Sequence, residues 1–240
     1  MAIANWKKEG TVAVVTLSNG ANLQNLDFST RMNEVFDEVL ADDGVYALVL
    51  TSDDVKNFSQ GVDIGWLGQR LQENDFESMK AFMYATNRVF KRLLQMPLPT
   101  IAAINGHAFG NGAMLACACD FRFMKRDRGY FCFPEVDISI PFLPGMIAFV
   151  RKAMPEYKFN ELKLTGKRVG ADELEQHHII EKASANVKEL MADALGFAAT
   201  FQKKRGIFGE HKKRMHKAII EVMEKEDIVF IEALDLFIKE

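Results

Sequence analysis

The stretch from Pro99 to Gly145 constrains the fold of this chain more than any other. A buried-type apolar run, Ile101 to Ile104, begins it, and small apolar residues with helix-forming character occupy Ala113 to Ala118. Between these two segments lie three glycines, Gly106, Gly110 and Gly112. The pattern predicts a strand, a tight turn and the start of a buried helix. A helix N-terminus leaves backbone N–H groups unpaired, and such donors suit a developing oxyanion, although glycine-rich turns of this kind are also common without any ligand.

A lone carboxylate, Glu135, follows some twenty residues later. It lies between two apolar segments, Phe131–Phe133 and Ile138–Ile140. A carboxyl group in apolar surroundings has a raised pKa, which a general acid or base working near neutral pH requires. The alternative is a solvated glutamate on the open face of a strand, which is the more common situation for this residue type.

Composition excludes several classes of protein. With 240 residues, 48% of them hydrophobic, the chain can bury a core in one domain with a smaller appendage, and its net charge of −3 does not favour nucleic acid or an anionic membrane as a partner. The three cysteines form no framework, so we expect reduced thiols. His177 and His178 lack partners at metal-ligand spacing, and we predict no metal site. The first residues lack the apolar core of a signal peptide, and no window predicts a membrane span, so we expect a cytoplasmic protein.

The rest of the body alternates between strand and helix patterns. Strands are predicted for the short β-branched or apolar runs Thr11–Leu17, Tyr46–Leu50 and Asp120–Met124. Helices are predicted where apolar residues recur at helical spacing, at Phe28–Leu40 (capped by Asp27 or Ser29), Phe76–Gln95, Gly145–Met154, Phe159–Leu164 and Asp172–Gln176. The opening order of strand, helix, strand favours a parallel crossover unit.

A polar loop from Lys56 to Trp66 passes through Gly61 into an apolar stretch. It could present a second backbone N–H to the ligand of the Gly110 turn, or it could be an ordinary loop that contains a glycine.

After Ala185 the pattern becomes helical. Three amphipathic helices are predicted, Val187–Phe201, Lys212–Glu224 and Ile228–Ile238. Such a tail can pack against a neighbouring subunit or against its own body. Its basic clusters, 203–205 and 212–214, are more typical of a solvated face than of a phosphate site.

These segments together resemble the crotonase superfamily, the enoyl-CoA hydratase/isomerase family. The resemblance is carried by FSQGVDI, PTIAAINGHAFGNGAMLACACDFRF, FPEVDISIPF and TGKRVGADELEQHHIIEKA, and it extends over most of the chain. It implies an α/β fold, a spiral of repeated ββα units in residues 1–184, with a helical trimerisation region in residues 185–240. It also implies an acyl-CoA thioester substrate, a homotrimer or dimer of trimers, and no cofactor other than the coenzyme A of the substrate.

The resemblance also implies roles for individual residues. Two backbone N–H groups hold the thioester oxygen in this family, and by position in the motifs Gln60 and Asn111 supply them here. Both positions usually carry smaller residues in the family, so their side chains are departures. The predicted pocket for the acyl chain and coenzyme A comprises Asn22, Leu23, Lys56, Phe58, Gly61, Asp63, Ile64, Gly110, Gly112, Met114 and Phe142.

The acids favour one reaction over another. Family hydratases use two glutamates, and Met114 stands at the first of these positions while Glu135 matches the second. Hydration needs groups that position and deprotonate water and deliver a proton, whereas moving a double bond needs a single base. The sequence therefore predicts a Δ3,Δ2-enoyl-CoA isomerase with Glu135 as proton shuttle. The alternatives are another crotonase-type hydratase or hydrolase, and a non-catalytic homologue that binds coenzyme A or RNA.

Overall fold

The computed structural model describes residues 3–235 of the chain. The strands are β1 Ala4–Glu9, β2 Val12–Leu17, β3 Leu23–Gln24, β4 Ala47–Ser52, β5 Asn57–Ser59, β6 Gly61–Val62, β7 Thr100–Ile104, β8 His107–Phe109, β9 Phe121–Lys125, β10 Phe131–Cys132 and β11 Lys182–Ser184. The α-helices are α1 Leu26–Ala41, α2 Ile64–Gln72, α3 Phe76–Gln95, α4 Asn111–Ala118, α5 Pro144–Arg151, α6 Glu156–Thr165, α7 Ala171–Gln176, α8 Val187–Ala199, α9 Arg205–Met215, α10 Lys217–Lys225 and α11 Asp227–Ala233. A short 3₁₀ helix occupies Pro134–Asp137.

A six-stranded sheet in the order β1-β2-β4-β7-β9-β11 forms the centre of the molecule. The β1–β2 pair is antiparallel, and the other neighbours are parallel. Helix α8 packs on one face of this sheet, and α1 and α3 contribute to the core on the other. Strands covered on both faces are apolar throughout, which explains the uninterrupted runs seen in β4 and β7.

The chain winds as a spiral. Strands β4, β7 and β9 lie in the large sheet, and each is followed by a strand of a second parallel sheet in the order β10-β8-β5. A helical segment follows each pair: α2 and α3, then α4, then the 3₁₀ helix and α5. This arrangement confirms the predicted α/β fold with repeated ββα units, and it brings the helix starts after β6, β8 and β10 to one region of the molecule.

Four local predictions were wrong, and the fourth concerns the last helix, described below. Strand β1 escaped detection because its sequence, ANWKKE, is an edge strand with charged side chains and no apolar alternation. Helix α1 is capped by Asn25, whose Oδ1 accepts from the Phe28 N–H at 3.0 Å, and Ser29 is buried inside the helix. The predicted helix Lys212–Glu224 is interrupted at His216, where α9 ends and α10 begins.

The terminal helices pack against their own chain. Ile220, Met223 and Ile231 are buried in the main core. Arg205 donates to the carbonyl oxygens of Leu40, Asp42 and Val45 at the end of α1. The predicted helix Ile228–Ile238 is too long, because α11 ends at Ala233 and Leu234 has a left-handed backbone with φ 52°; its last predicted residues, 236–238, lie outside the described part. The division at residue 184/185 and the trimer stay predictions.

Lys212, one of the three residues of the second basic cluster, is buried. Its buried Nζ donates to the Leu93 carbonyl at 2.8 Å and lies 2.7 Å from the Asp120 carboxylate. In residues 3–235, no helix combines the length and the apolar character needed to cross a membrane.

Candidate active site

The turn between β8 and α4 brings a carboxylate against backbone. Gly110 has φ 52° and ψ −121°, a conformation that favours glycine. A Cβ on Gly110 would lie 2.7 Å from Glu135 Oε1, so the absence of a side chain also makes room for the carboxylate. As the first residue of α4, Asn111 has no carbonyl acceptor within the helix, and its N–H has no acceptor among residues 3–235.

Gly112 serves a different purpose from the one that the sequence suggests. We expected its missing side chain to admit a ligand. A Cβ at this position would instead lie 2.2 Å from the Ser59 carbonyl oxygen, and its φ is not in the left-handed region. Gly112 therefore allows α4 to approach β5 closely, and this approach sets the position of the helix start.

Glu135 lies on the 3₁₀ helix that follows β10, and only 6% of its surface is exposed. Its Oε2 atom has no hydrogen-bond partner in the described part of the chain. Burial raises the pKa of the Glu135 carboxyl from 4.5 to about 7, while its own backbone N–H and the charge of Lys163 pull that pKa downward. A carboxyl group with this pKa can take and return a proton near neutral pH.

The backbone N–H of Gln60 is already occupied. It donates to the Ala21 carbonyl at 3.0 Å, which contradicts its predicted role as a free donor for the thioester oxygen. The Gln60 side chain lines the cavity beside Glu135, and its Nε2 donates to Asn57 Oδ1 at 2.5 Å. The position of a residue in the motif does not determine whether its N–H is bonded, because that depends on pairing with the segment at β3.

Val62, two residues later, has the better placed N–H. Val62 pairs with Gln24 in the parallel β3–β6 ladder, and the N–H of Asp63 donates to the Gln24 carbonyl at 2.9 Å. Because successive N–H groups of a strand point to opposite sides, the Val62 N–H faces away from β3. Gly61, with φ 84°, brings this loop against α4: its Cβ would lie 3.2 Å from the Asn111 nitrogen.

An apolar cavity joins these groups. Seven predicted site residues line it: Gln60, Ile64, Gly110, Asn111, Met114, Glu135 and Phe142. Ten further wall residues were not predicted, namely Val62, Leu67, Phe82, Met83, Pro134, Ile138, Ile140, Pro141, Leu143 and Met146. Phe82 and Met83 lie on the apolar face of the predicted helix Phe76–Gln95, and residue type alone does not distinguish a cavity wall from a core.

The other predicted pocket residues lie outside these walls. Asn22 is buried and its Nδ2 donates to Ser52 Oγ and the Phe58 carbonyl. The Asp63 carboxylate caps α2 by accepting from the Trp66 N–H at 2.9 Å. Phe58 is fully buried, Leu23 lies in β3 and Lys56 is exposed; Gly61 and Gly112 hold the loop and α4 together, as described above. Contacts of this set with coenzyme A stay a prediction.

Glu135 is the only carboxylate among the described residues that line the cavity. Met114, which stands at the position where the resemblance places the other glutamate of a hydratase, is an apolar wall residue and 1% exposed. The arrangement thus offers one proton acceptor, a helix N-terminus and an apolar chamber. Residues 3–235 hold no group of three or more His, Cys, Asp or Glu side chains that could bind a metal ion.

Comparison with known proteins gives the family. A family model described as Enoyl-CoA hydratase/isomerase matches residues 7–233. The chain is 33% identical over 149 residues to Enoyl-CoA delta isomerase 3 of Arabidopsis thaliana, a match that covers 62% of this chain and 62% of that protein. It is also 33% identical over 190 residues to Short-chain-enoyl-CoA hydratase of Clostridium acetobutylicum, which covers 78% of this chain and 70% of that protein.

Comparison with solved structures points to the same family. The crystal structure of an enoyl-CoA hydratase/isomerase family protein from Pseudomonas syringae matches with a TM-score of 0.86 at 20% identity, covering 96% of this chain and 97% of that one. The relatives are named for two different reactions, so they define the family and not the reaction. With a match that spans nearly all of its length, this chain belongs to the enoyl-CoA hydratase/isomerase family of enzymes.

Proposed function

We propose that the protein is a Δ3,Δ2-enoyl-CoA isomerase that uses Glu135 as its single proton shuttle. The observation that carries the proposal is that Glu135 is the one carboxylate among the described residues of the cavity wall, buried beside a free helix N-terminus in a wall that also contains the apolar Met114. An isomerase needs one base that takes a proton from one carbon and returns it to another. A second acid, which would help to position water for hydration, has no counterpart in this wall.

The reaction proceeds in two steps. The ionised Glu135 removes a proton from C2 of a 3-enoyl-CoA, and the electron pair of that C–H bond moves into the thioester to form a conjugated enolate. Glu135, now protonated, delivers the proton to C4: the π electrons of the C3–C4 double bond form the new C4–H bond, those of the C1–C2 bond of the enolate form the C2–C3 double bond, and the thioester carbonyl re-forms. The product is the 2-enoyl-CoA, Glu135 is ionised again, and the scheme requires no metal or redox cofactor.

The backbone stabilises the enolate oxygen in this scheme. We assign the two donors to the N–H of Asn111, at the start of α4, and the N–H of Val62, in place of Gln60. The support is geometric: the Gln60 N–H is bonded to Ala21, while Gly61 holds the loop against the Asn111 nitrogen. Donors that are fixed before the reaction stabilise developing charge strongly in a site that excludes water.

Hydration is the second candidate, because a hydratase of Clostridium acetobutylicum is 33% identical over 190 residues. One experiment separates the two reactions. The purified protein is incubated with 3-enoyl- and 2-enoyl-CoA thioesters of graded chain length, and the ultraviolet absorbance of the conjugated 2-enoyl thioester is followed. Isomerisation raises the absorbance from a 3-enoyl substrate, whereas hydration lowers it from a 2-enoyl substrate. Fast hydration without isomerisation would reject the proposal, and the Glu135→Gln protein is the control for both reactions.

A non-catalytic RNA-binding role has less support. Of the two basic clusters in the tail, Arg205 caps α1 and Lys212 is buried against Asp120. These two side chains hold the terminal helices to the body and are not free to neutralise phosphates, whereas Lys203, Lys204, Lys213 and Arg214 are exposed. The net charge of −3 also disfavours an RNA partner.

A further inference from the structure

Lys163 is a cation without a counter-ion near the cavity. It lies on α6, is partly buried, and its Nζ is 3.9 Å from the ring centroid of Phe142, a wall residue of the cavity. In residues 3–235 no carboxylate lies within 4 Å of the Lys163 Nζ, and no hydrogen bond from it is found. Its neighbours differ, since Lys158 and Lys167 both pair with Glu161.

The electrostatic partner of Lys163 is Glu135. Helix α6 packs against the 3₁₀ helix that carries Glu135. Burial lowers the pKa of the Lys163 ammonium, and the charge of Glu135 raises it. In the other direction, the charge of Lys163 lowers the pKa of the Glu135 carboxyl, against the larger effect of burial. An opposite charge at this range favours the ionised form of each partner.

The charged groups around Glu135 are few. Helix α4 carries no charged side chain, and the residues of α3 and α5 that line the cavity carry none either. The titratable or charged groups nearby on packed elements are Asp137 on the same 3₁₀ helix, Cys132 on β10, Arg168 beside Cys132 and Lys163 on α6. The Asp137 carboxylate lies against Gly166, since a Cβ on Gly166 would come within 2.3 Å of its Oδ2 atom. The Arg168 guanidinium lies over the Phe109 ring. Lys163 is the cation whose charge acts on Glu135 itself.

We propose that Lys163, which contacts the Phe142 ring of the cavity wall, is a positioning residue that holds Glu135 in its ionised, proton-accepting form. The proposal rests on the role of Glu135 as base in the proposed function. A buried carboxylate in an apolar wall is protonated too readily to act as a base at neutral pH. A nearby cation that is not bonded to the carboxylate favours its ionised form, and it leaves free the oxygen atoms that must receive the proton. A direct salt bridge would hold those oxygens, so a cation that contacts the Phe142 ring and makes no bond to the carboxylate suits this role.

The test compares three variants with the natural protein. Lys163→Met keeps the length and apolar stem of the side chain but removes the charge, and Lys163→Arg keeps the charge. Lys167→Met is the matched control, because Lys167 is close in sequence and pairs with Glu161 and Glu173 instead. The measurement is the dependence of kcat/KM on pH, with melting curves to confirm that each variant is folded.

Loss of the charge should move the acidic limb of the profile toward higher pH. At pH 6 we expect kcat/KM of Lys163→Met to fall at least ~threefold, the change that corresponds to moving the limb by half a pH unit. At pH 9, where Glu135 is ionised in either case, the variant should match the natural protein. Lys163→Arg and Lys167→Met should retain the natural profile. A Lys163→Met profile that coincides with the natural one, or that is lowered equally at all pH values, would overturn the proposal.

A second measurement does not depend on turnover. The side-chain carboxyl of ¹³C-labelled Glu135, assigned by its absence in Glu135→Gln, is titrated by NMR in the natural protein and in Lys163→Met. A higher titration midpoint in the variant supports the coupling, and an unchanged midpoint refutes it. If the natural protein shows no isomerase activity, the proposed function fails while this titration still decides whether Lys163 acts on Glu135.

Discussion

Replacing Glu135 by glutamine should make the folded protein more stable at neutral and alkaline pH. Burial raises the pKa of this carboxyl from 4.5 to about 7, so the folded state binds a proton that the unfolded state has lost over this range. The natural protein therefore loses stability as pH rises from about 4.5 to about 7. The variant carries a neutral amide and has no such loss.

The size of the effect follows from the shift of the pKa. At about 1.36 kcal/mol for each unit, the rise to about 7 corresponds to about 3 kcal/mol at pH 8 and to almost nothing below pH 4. The buried Oε2 of Glu135 has no hydrogen-bond partner in the described residues, so the amide loses few native contacts at that atom, although its N–H₂ group needs a partner of its own.

The assay is denaturant unfolding of both proteins between pH 2 and pH 8.5 at one protein concentration. Glu161→Gln is the control of opposite sign, because ion pairs with Lys158 and Lys167 lower the pKa of that half-buried carboxyl from 4.5 to about 2. Its substitution should cost stability at neutral pH, and the cost should be lost progressively as the pH falls from about 4.5 to about 2. The same Glu135→Gln protein should lose at least ~10²-fold in kcat, the lower end for general-base catalysis. A stability difference between Glu135→Gln and the natural protein that is constant with pH would refute the reasoning about burial.

Three further predictions concern the reaction, the donors and the assembly. Hydration of 2-enoyl-CoA should be weak, and Met114→Glu should increase it by placing a second carboxylate in the wall shared with Glu135; strong hydration by the natural protein in the ultraviolet assay would contradict this. Asn111→Ala should keep kcat within about tenfold, because the backbone N–H of Asn111 survives removal of its side chain, and Gln60→Ala should do the same, because its N–H is bonded to Ala21 and is not an assigned donor. Gly110→Ala should reduce kcat by roughly 10²–10³-fold, because a Cβ there would lie 2.7 Å from Glu135 Oε1 and disfavours the positive φ at the start of α4; total loss on Asn111→Ala alone would assign the role to its side chain. Light scattering should give the mass of three or six chains of 27.1 kDa, since apolar side chains on α11 remain exposed in one chain, and an active monomer would exclude this assembly.

Local patterns were sufficient for elements with a clear apolar run or a clear helical period. Strand β7, which is an apolar run, and helix α3, which has one buried face, were located within a residue of their observed ends, because Pro97 and Pro99 lie between them and neither element can extend through a proline. The same reasoning placed Glu135 in apolar surroundings. Strand β1 and the break at His216 were missed, since an exposed edge and an interrupted amphipathic helix carry no distinct period.

The sequence by itself determined the chemistry that is available: one carboxylate in an apolar segment, a glycine turn before a buried helix, and an apolar Met114. The tertiary structure alone decided which groups are free to act. Gln60 and Val62 are two residues apart in one motif, yet the Gln60 N–H is bonded to Ala21 while the N–H of Val62 faces away from β3. Hydrogen-bond partners and buried charges come from segments far apart in the chain, as Lys163 does for Glu135, and no local pattern records them.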